Sequence, residues 1–127
     1  MSRFCTDSLG LNYSNLALAK KWWIEVFDCK QTKVPPEWDC PLPSDVALKL
    51  PGYDEPTILL SDTAEVQNAG YERSNDHPIL FCNKLTSAQE CLTRRGALPG
   101  PLQSARGMEF FELRDPEGNG IEICKEP

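Results

Sequence analysis

Two helical stripes a fixed distance apart constrain this chain more than any other feature. Leu16, Ala19, Trp23 and Val26 recur at the spacing of one helix face, and Lys20, Lys21 and Glu25 fall mostly between them. Leu85, Ala88 and Leu92 repeat the first three positions after a constant shift of 69 residues. A stripe of that width covers one face only, so each helix needs a sheet to bury it. Apolar runs suited to strands flank both stripes. The 127-residue chain therefore carries one pattern twice, with little identity between the copies. The simplest description is a βαβββ unit used twice, in a single α+β domain.

The first half opens with a possible strand over residues 3–9. Asn15 or Ser14 is a plausible cap for the helix that follows. Residues 34–43 hold Pro35, Pro36, Pro41 and Pro43, which fit neither a helix nor a central strand, so this segment reads as a surface loop. Residues 46–50 and 57–61 are candidate strands around a turn at Pro51-Gly52-Tyr53-Asp54. In the second half, residues 77–82 read as a strand with Pro78 at its beginning. Thr86-x-x-Gln89 and Ser87-x-x-Glu90 both fit a capping box, Arg94 and Arg95 complement the helix dipole, and Gly96 suits the left-handed exit. Strands follow around residues 108–113 and 121–125, joined by Asp115-Pro116-Glu117-Gly118-Asn119-Gly120. The expected division is module one at about 1–62, a polar linker at about 63–76 and module two at about 77–127.

Composition excludes several functions. Thirteen Lys and Arg against 19 Asp and Glu leave a net charge of −6, and the basic pairs Lys20-Lys21 and Arg94-Arg95 are too short for a phosphate-binding surface, so no nucleic-acid partner is expected. No apolar run approaches 18 residues, so no membrane span or membrane partner is expected. Any histidine chemistry must be built on His77 alone. The cysteines at 5, 29, 40, 82, 91 and 124 form no C-x-x-C pair, which argues against a zinc knuckle or a thioredoxin-type site. The opening residues show no basic region followed by an apolar stretch. Reduced, buried thiols and a cytoplasmic location are the expectation.

The ending carries a resemblance. Phe110-Phe111, then Asp115-Pro116-Glu117-Gly118-Asn119-Gly120, then Ile121-Glu122-Ile123 resembles the C-terminal signature of the vicinal oxygen chelate superfamily, which includes glyoxalase I, bleomycin-resistance proteins, fosfomycin-resistance enzymes and extradiol dioxygenases. Leu85 to Ala97 resembles the second helix of that family and its glycine exit, and Asn15-Leu16 with Trp22-Trp23 resembles the first. The resemblance implies two βαβββ modules with mixed, cup-shaped sheets. It also implies a homodimer in which the halves sharing a cavity can come from different subunits. In metal-dependent members each half supplies two ligands, one from its first strand and one from its last. Carried over, the resemblance assigns His77 and Glu122 as metal ligands, a pair suited to Zn, Ni, Mn or Fe. In the first half Ser8 and Leu59 fall at the other two ligand positions, and Asp7 or Asn12 would substitute only if the strand register slipped.

Further residues follow from side-chain alternation and loop position. Glu122 is a candidate general base facing a cavity beside Cys124. Trp38 stands in the Pro-rich loop, where an aromatic ring can cap a flat ligand. With His77, Glu122 and Phe111 it makes up the expected ligand-binding set, although Phe110 and Phe111 must face opposite sides of their strand. Trp23 belongs to the helix stripe, and Trp22 points about 100° away from it. Two functional readings compete. One is a protein that binds a small apolar or aromatic molecule in a cup-shaped cavity with no metal or other cofactor, as drug-sequestering members do. The other is a metal-dependent lyase, isomerase, thiol transferase or dioxygenase built on His77 and Glu122. Ser8 and Leu59 favour the first. A third reading, regulation of a partner protein, has no motif behind it.

Overall fold

The repeat is visible in the strand pairing. The computed structural model describes residues 4–6, 8–38 and 41–127. Along the chain run β1 (Leu9–Tyr13), α1 (Leu16–Phe27), β2 (Lys30–Thr32), β3 (Val46–Lys49), β4 (Ile58–Asp62), α2 (Thr63–Asn68), β5 (Ile79–Cys82), α3 (Leu85–Arg94), β6 (Gln103–Ala105), β7 (Met108–Arg114) and β8 (Gly120–Lys125). Among the described residues they form two mixed four-stranded sheets, ordered β1-β4-β3-β2 and β5-β8-β7-β6. The first strand of each sheet is parallel to the last, and the other pairings are antiparallel. Gly10 pairs with Leu59 as Ile79 pairs with Glu122, so Gly10 and Ile79 hold equivalent places 69 residues apart. The shift read from the helix stripes is thus the shift between the folded units.

Both sheets turn one face to a shared apolar core. Leu9, Leu11, Tyr13, Ile58 and Leu60 supply it from sheet one, and Leu80, Phe111, Leu113, Ile121 and Ile123 from sheet two. Ala19, Trp23, Val26 and Phe27 of α1 and Leu85, Ala88 and Leu92 of α3 close over them. Trp23 stacks on Phe27 at 4.9 Å, and Phe4 meets Phe27 edge-on at 5.2 Å. The alternate residues of each strand point to the opposite, far face of the sheet.

Several local expectations shift. The first strand begins at Leu9, not near residue 3; upstream of it Cys5 forms an isolated bridge to Phe81 of β5. Residues 1–3 and 7, and with them part of the expected strand and Asp7, lie outside the described residues, as do Asp39 and Cys40. Neither capping box forms. The helix α3 starts at Leu85 with Lys84 as an N-cap that makes no side-chain bond, because Leu85 is needed in the core one residue ahead of Thr86. Gln89 instead donates to the Gly100 carbonyl at 2.8 Å. The exit is as expected. Gly96 takes φ +95°, its N–H donates to Thr93 and that of Ala97 to Leu92, the paired bonds of a Schellman turn. The expected linker contains α2, whose N-cap Asp62 accepts from Ala64 N–H at 3.0 Å. The order Asp62-x-x-Glu65 was its sequence signal. Among the described residues no helix is long and apolar enough to cross a membrane.

One buried carboxylate joins the two units. Asp115 Oδ1 accepts from the N–H groups of Glu117 and Asn119 at 3.0 and 2.8 Å, which shapes the β7–β8 turn. Its Oδ2 accepts from Asn119 Nδ2 at 2.9 Å and from the Tyr13 hydroxyl at 2.6 Å. Tyr13 Oη in turn accepts from Trp23 Nε1 at 3.0 Å. Burial, followed by the Asp115 bond, holds the Tyr13 hydroxyl far above its ordinary pKa, so it donates at all relevant pH. Beside it, Glu117 caps α1 from the second unit, accepting from Asn15 N–H at 2.8 Å and from Ser14 N–H and Oγ at 2.9 and 3.0 Å. The slight burial of Glu117 pushes its carboxyl up, but these bonds outweigh that and hold it below its ordinary value.

Replacing Asp115 with Ala should cost about 3 kcal/mol in urea unfolding, since it orphans a buried hydroxyl and two N–H groups. Tyr13→Phe should cost about 1–2 kcal/mol by the same measurement. Because the carboxyl of Glu117 is depressed in the folded state, its contribution is present above the ordinary carboxyl range and fades as pH falls through the lower folded value. Glu117→Gln should flatten that part of the acid side of the stability profile.

Candidate functional site

Sheet two has an open far face that combines apolar side chains with acids. Successive register partners place Cys5, Phe81, Cys124, Phe110 and Gln103 in one row across it. The next row holds Ile79, Glu122 and Glu112. Ile79, Phe81, Phe110 and Glu122 are half-buried, and Met108 and Glu112 are exposed. Cys124 is buried between the two phenylalanines of its row. Burial, then the nearby Glu122 carboxylate, push its thiol up.

Glu112 and Glu122 sit directly opposite each other. Glu122 N–H donates to the Pro78 carbonyl and Glu112 C=O accepts from Gly100, so each directs its backbone away from the other. This is the close, non-hydrogen-bonded kind of antiparallel pair, with Cβ atoms about 4.5–5.5 Å apart. Like charges in that relation cost folding free energy. Among the described residues no salt bridge reaches either carboxylate. Arg114 donates to the Gly118 carbonyl at 2.7 Å, and Lys125 pairs with Glu109 at 3.8 Å. The face thus places two acids side by side among apolar side chains.

The far face of sheet one is equivalent in register but occupied. It carries Gly10 and Asn12 of β1 and Leu59 and Ser61 of β4. Arg73, from the segment after α2, donates to Ser61 Oγ at 3.0 Å and to Asp45 Oδ2 at 3.4 Å. Ser61 and Asp45 are both buried.

The sequence-derived residues separate. Glu122 lies on the open far face, as alternation from Ile121 and Ile123 required. Phe111 does not join it. At 0% exposure it belongs to the core, and Phe110 takes the place on Glu122's face. Alternation from Glu122 through its partner Glu112 was the signal for Phe110. His77 is exposed and precedes β5 by two residues, because the strand starts only after Pro78. Trp38 is half-buried in its loop, with its N–H donating to the Pro35 carbonyl at 3.1 Å, and among the described residues no hydrogen bond or ring contact ties it to Glu122 or His77. Ser8 is exposed and Leu59 half-buried. The strand register keeps Leu59 opposite Glu122 in the repeat.

A metal centre on the four transferred positions lacks donors. Leu59 has no ligating atom, Ser8 is a weak ligand, and a His–Glu pair alone holds a divalent ion poorly. Among the described residues no three His, Cys, Asp or Glu side chains converge to hold a metal ion. The donor set does not fit such a group. Thiol chemistry has little support either. Cys5, Cys29, Cys82, Cys91 and Cys124 are free, and burial pushes Cys29 up to about 12 and Cys82 up to about 11, which leaves both protonated at neutral pH.

No protein-family model and no curated protein matches the chain. Solved structures match its fold. One is a member of the glyoxalase/bleomycin resistance protein/dioxygenase superfamily from Sphaerobacter thermophilus DSM 20745, at TM-score 0.69 and 19% identity over 96% of this chain and 97% of that one. Lactoylglutathione lyase from Agrobacterium tumefaciens matches at 0.68 and 16%, covering 95% and 92%. TioX from Micromonospora sp. ML1 matches at 0.63 and 20%, covering 97% of both. The chain has the glyoxalase/bleomycin-resistance fold, over nearly its whole length.

The two facings separate by mutation. Phe111→Ala should cost about 3–5 kcal/mol in chemical denaturation, as for an emptied core site, and Phe110→Ala about 1 kcal/mol. Glu122→Gln should leave the ligand-free fold unchanged or stabilise it by up to about 1 kcal/mol, because it relieves a like-charge pair.

Proposed function

We propose that this protein binds a small apolar or aromatic molecule on the far face of sheet two, without a metal. The observation that carries the reading is the like-charge pair Glu112–Glu122 set among Ile79, Phe81, Phe110 and Met108. Apolar rings supply most of the contact area, and a few placed polar groups supply orientation. Two carboxylates with no salt-bridge partner among the described residues favour a ligand that carries a positive charge. A second copy of the chain closes the open face, so the working form is a homodimer. Free thiols favour a reducing, cytoplasmic setting. The Agrobacterium structure of the same fold is a lactoylglutathione lyase. That likeness supports a second reading for this chain, a metal-dependent enzyme of the superfamily. Only Glu122, turned to the open face, favours it here.

Ethidium, a planar aromatic cation, is the probe. Fluorescence titration should show saturable binding that weakens at least tenfold in Glu122→Gln and in Phe110→Ala. Binding unchanged in both variants would contradict the site. Light scattering should give about twice the 14.2 kDa chain mass. Elemental analysis of protein purified without chelator separates the two readings. Stoichiometric Zn, Ni, Mn or Fe would favour the enzyme.

A further inference from the structure

The far face of sheet one holds a cation that belongs to the chain itself. The segment after α2 runs back along β1. Asp76 N–H donates to the Gly10 carbonyl at 3.0 Å, and Asp76 Oδ2 accepts from Gly10 N–H at 2.7 Å. Asn75 Oδ1 accepts from Asn12 N–H at 2.7 Å, and the Arg73 carbonyl accepts from Asn12 Nδ2 at 2.7 Å. Upstream, Glu65 of α2 accepts from Ser44 N–H at 3.0 Å, close to Asp45 in the chain. Residues 73–76 are thus stitched to the strand edge as a strap, with the guanidinium of Arg73 laid against Ser61 and Asp45.

The fit is incomplete at its most buried point. The Asp45 side chain is 0% exposed. Its Oδ2 accepts from Leu42 N–H at 2.9 Å and takes one Arg73 nitrogen at 3.4 Å, while Oδ1 is buried with no hydrogen-bond partner among the described residues. Guanidinium and carboxylate pair best through two parallel bonds. The strap limits how Arg73 can approach, and one acceptor is left unmatched in a place where an unmatched acceptor is costly. A free planar cation has no such tether.

We infer that the far face of sheet one is a guanidinium pocket, with Asp45 and Ser61 as its acceptors, filled in cis by Arg73, and that a small guanidinium compound competes with Arg73 for it. The tethered side chain acts at a high effective concentration, so the pocket is largely masked in the intact protein. Ligand entry there displaces the strap from β1. The inference concerns a different face from the ethidium site and stands or falls separately.

The probe is propylguanidinium, which reproduces the end of the arginine side chain, followed by calorimetry. Arg73→Ala should bind it at least tenfold more tightly than the intact protein, and propylammonium, which lacks the planar fork, at least tenfold more weakly than propylguanidinium. Adding Asp45→Asn to Arg73→Ala should abolish binding, and adding Glu122→Gln should leave it unchanged. Circular dichroism checks that each variant is folded, and Arg73→Gln replaces Arg73→Ala if the latter is not. In the intact protein, millimolar propylguanidinium should speed amide exchange at Gly10, Asn12 and Asp76 while α1 stays protected. A folded Arg73 variant that binds no better than the intact chain, or a double variant that retains binding without Asp45, would overturn the inference.

Discussion

The carboxylate of Asp115 is the joint on which this architecture depends. It is buried, it closes the turn between the last two strands, and it receives the Tyr13 hydroxyl that in turn receives Trp23. A buried charge is tolerated only when its acceptor positions are filled. Filling them here requires a hydroxyl from β1 and, through it, an indole from α1. The buried carboxylate in the second unit's turn is therefore fully satisfied only with the first helix and strand in place. Glu117 adds to this by capping α1 from the same turn. The motif that gives the second unit its hairpin also fixes the two units against each other.

Two copies of one scaffold, held in this way, have diverged on their far faces. At equivalent register positions one face carries Leu59 and Ser61 and the other Glu122 and Cys124. The first is crossed by the strap and filled by Arg73. The second keeps half-buried rings around two acids. The repeat supplies a symmetric framework, and the linker breaks the symmetry by lying on one copy only. The face without a strap is the one we propose for a cationic aromatic ligand, and the covered face already contains the Arg73 cation.

Much of the fold was legible in the sequence because it rests on periodicity. The 69-residue shift of Leu16, Ala19 and Trp23 reappears in the register of Gly10 and Ile79. Glu122 was legible by alternation from its apolar neighbours. The rest depended on longer-range effects. Phe110 and Phe111 are equally apolar, and only the direction of the core separates them. The capping boxes at Thr86 and Ser87 failed because the burial of Leu85 outweighed a local side-chain bond. His77 fell outside β5, where no periodicity marks the strand start. The strap escaped notice because its polar residues look like a solvated linker. Asn75 and Asp76 are polar because they replace a neighbouring strand along β1.

On the proposed function the two equivalent faces differ in kind, one binding a cationic aromatic ligand and one already filled by Arg73. Backbone NMR of the labelled protein during an ethidium titration tests it most directly. The account predicts that shifts concentrate on Ile79, Phe81, Phe110, Glu112, Glu122 and Cys124, with Asn12, Leu59 and Ser61 unmoved. Shifts centred on Asn12, Leu59 and Ser61, with the Glu122 face silent, would contradict it.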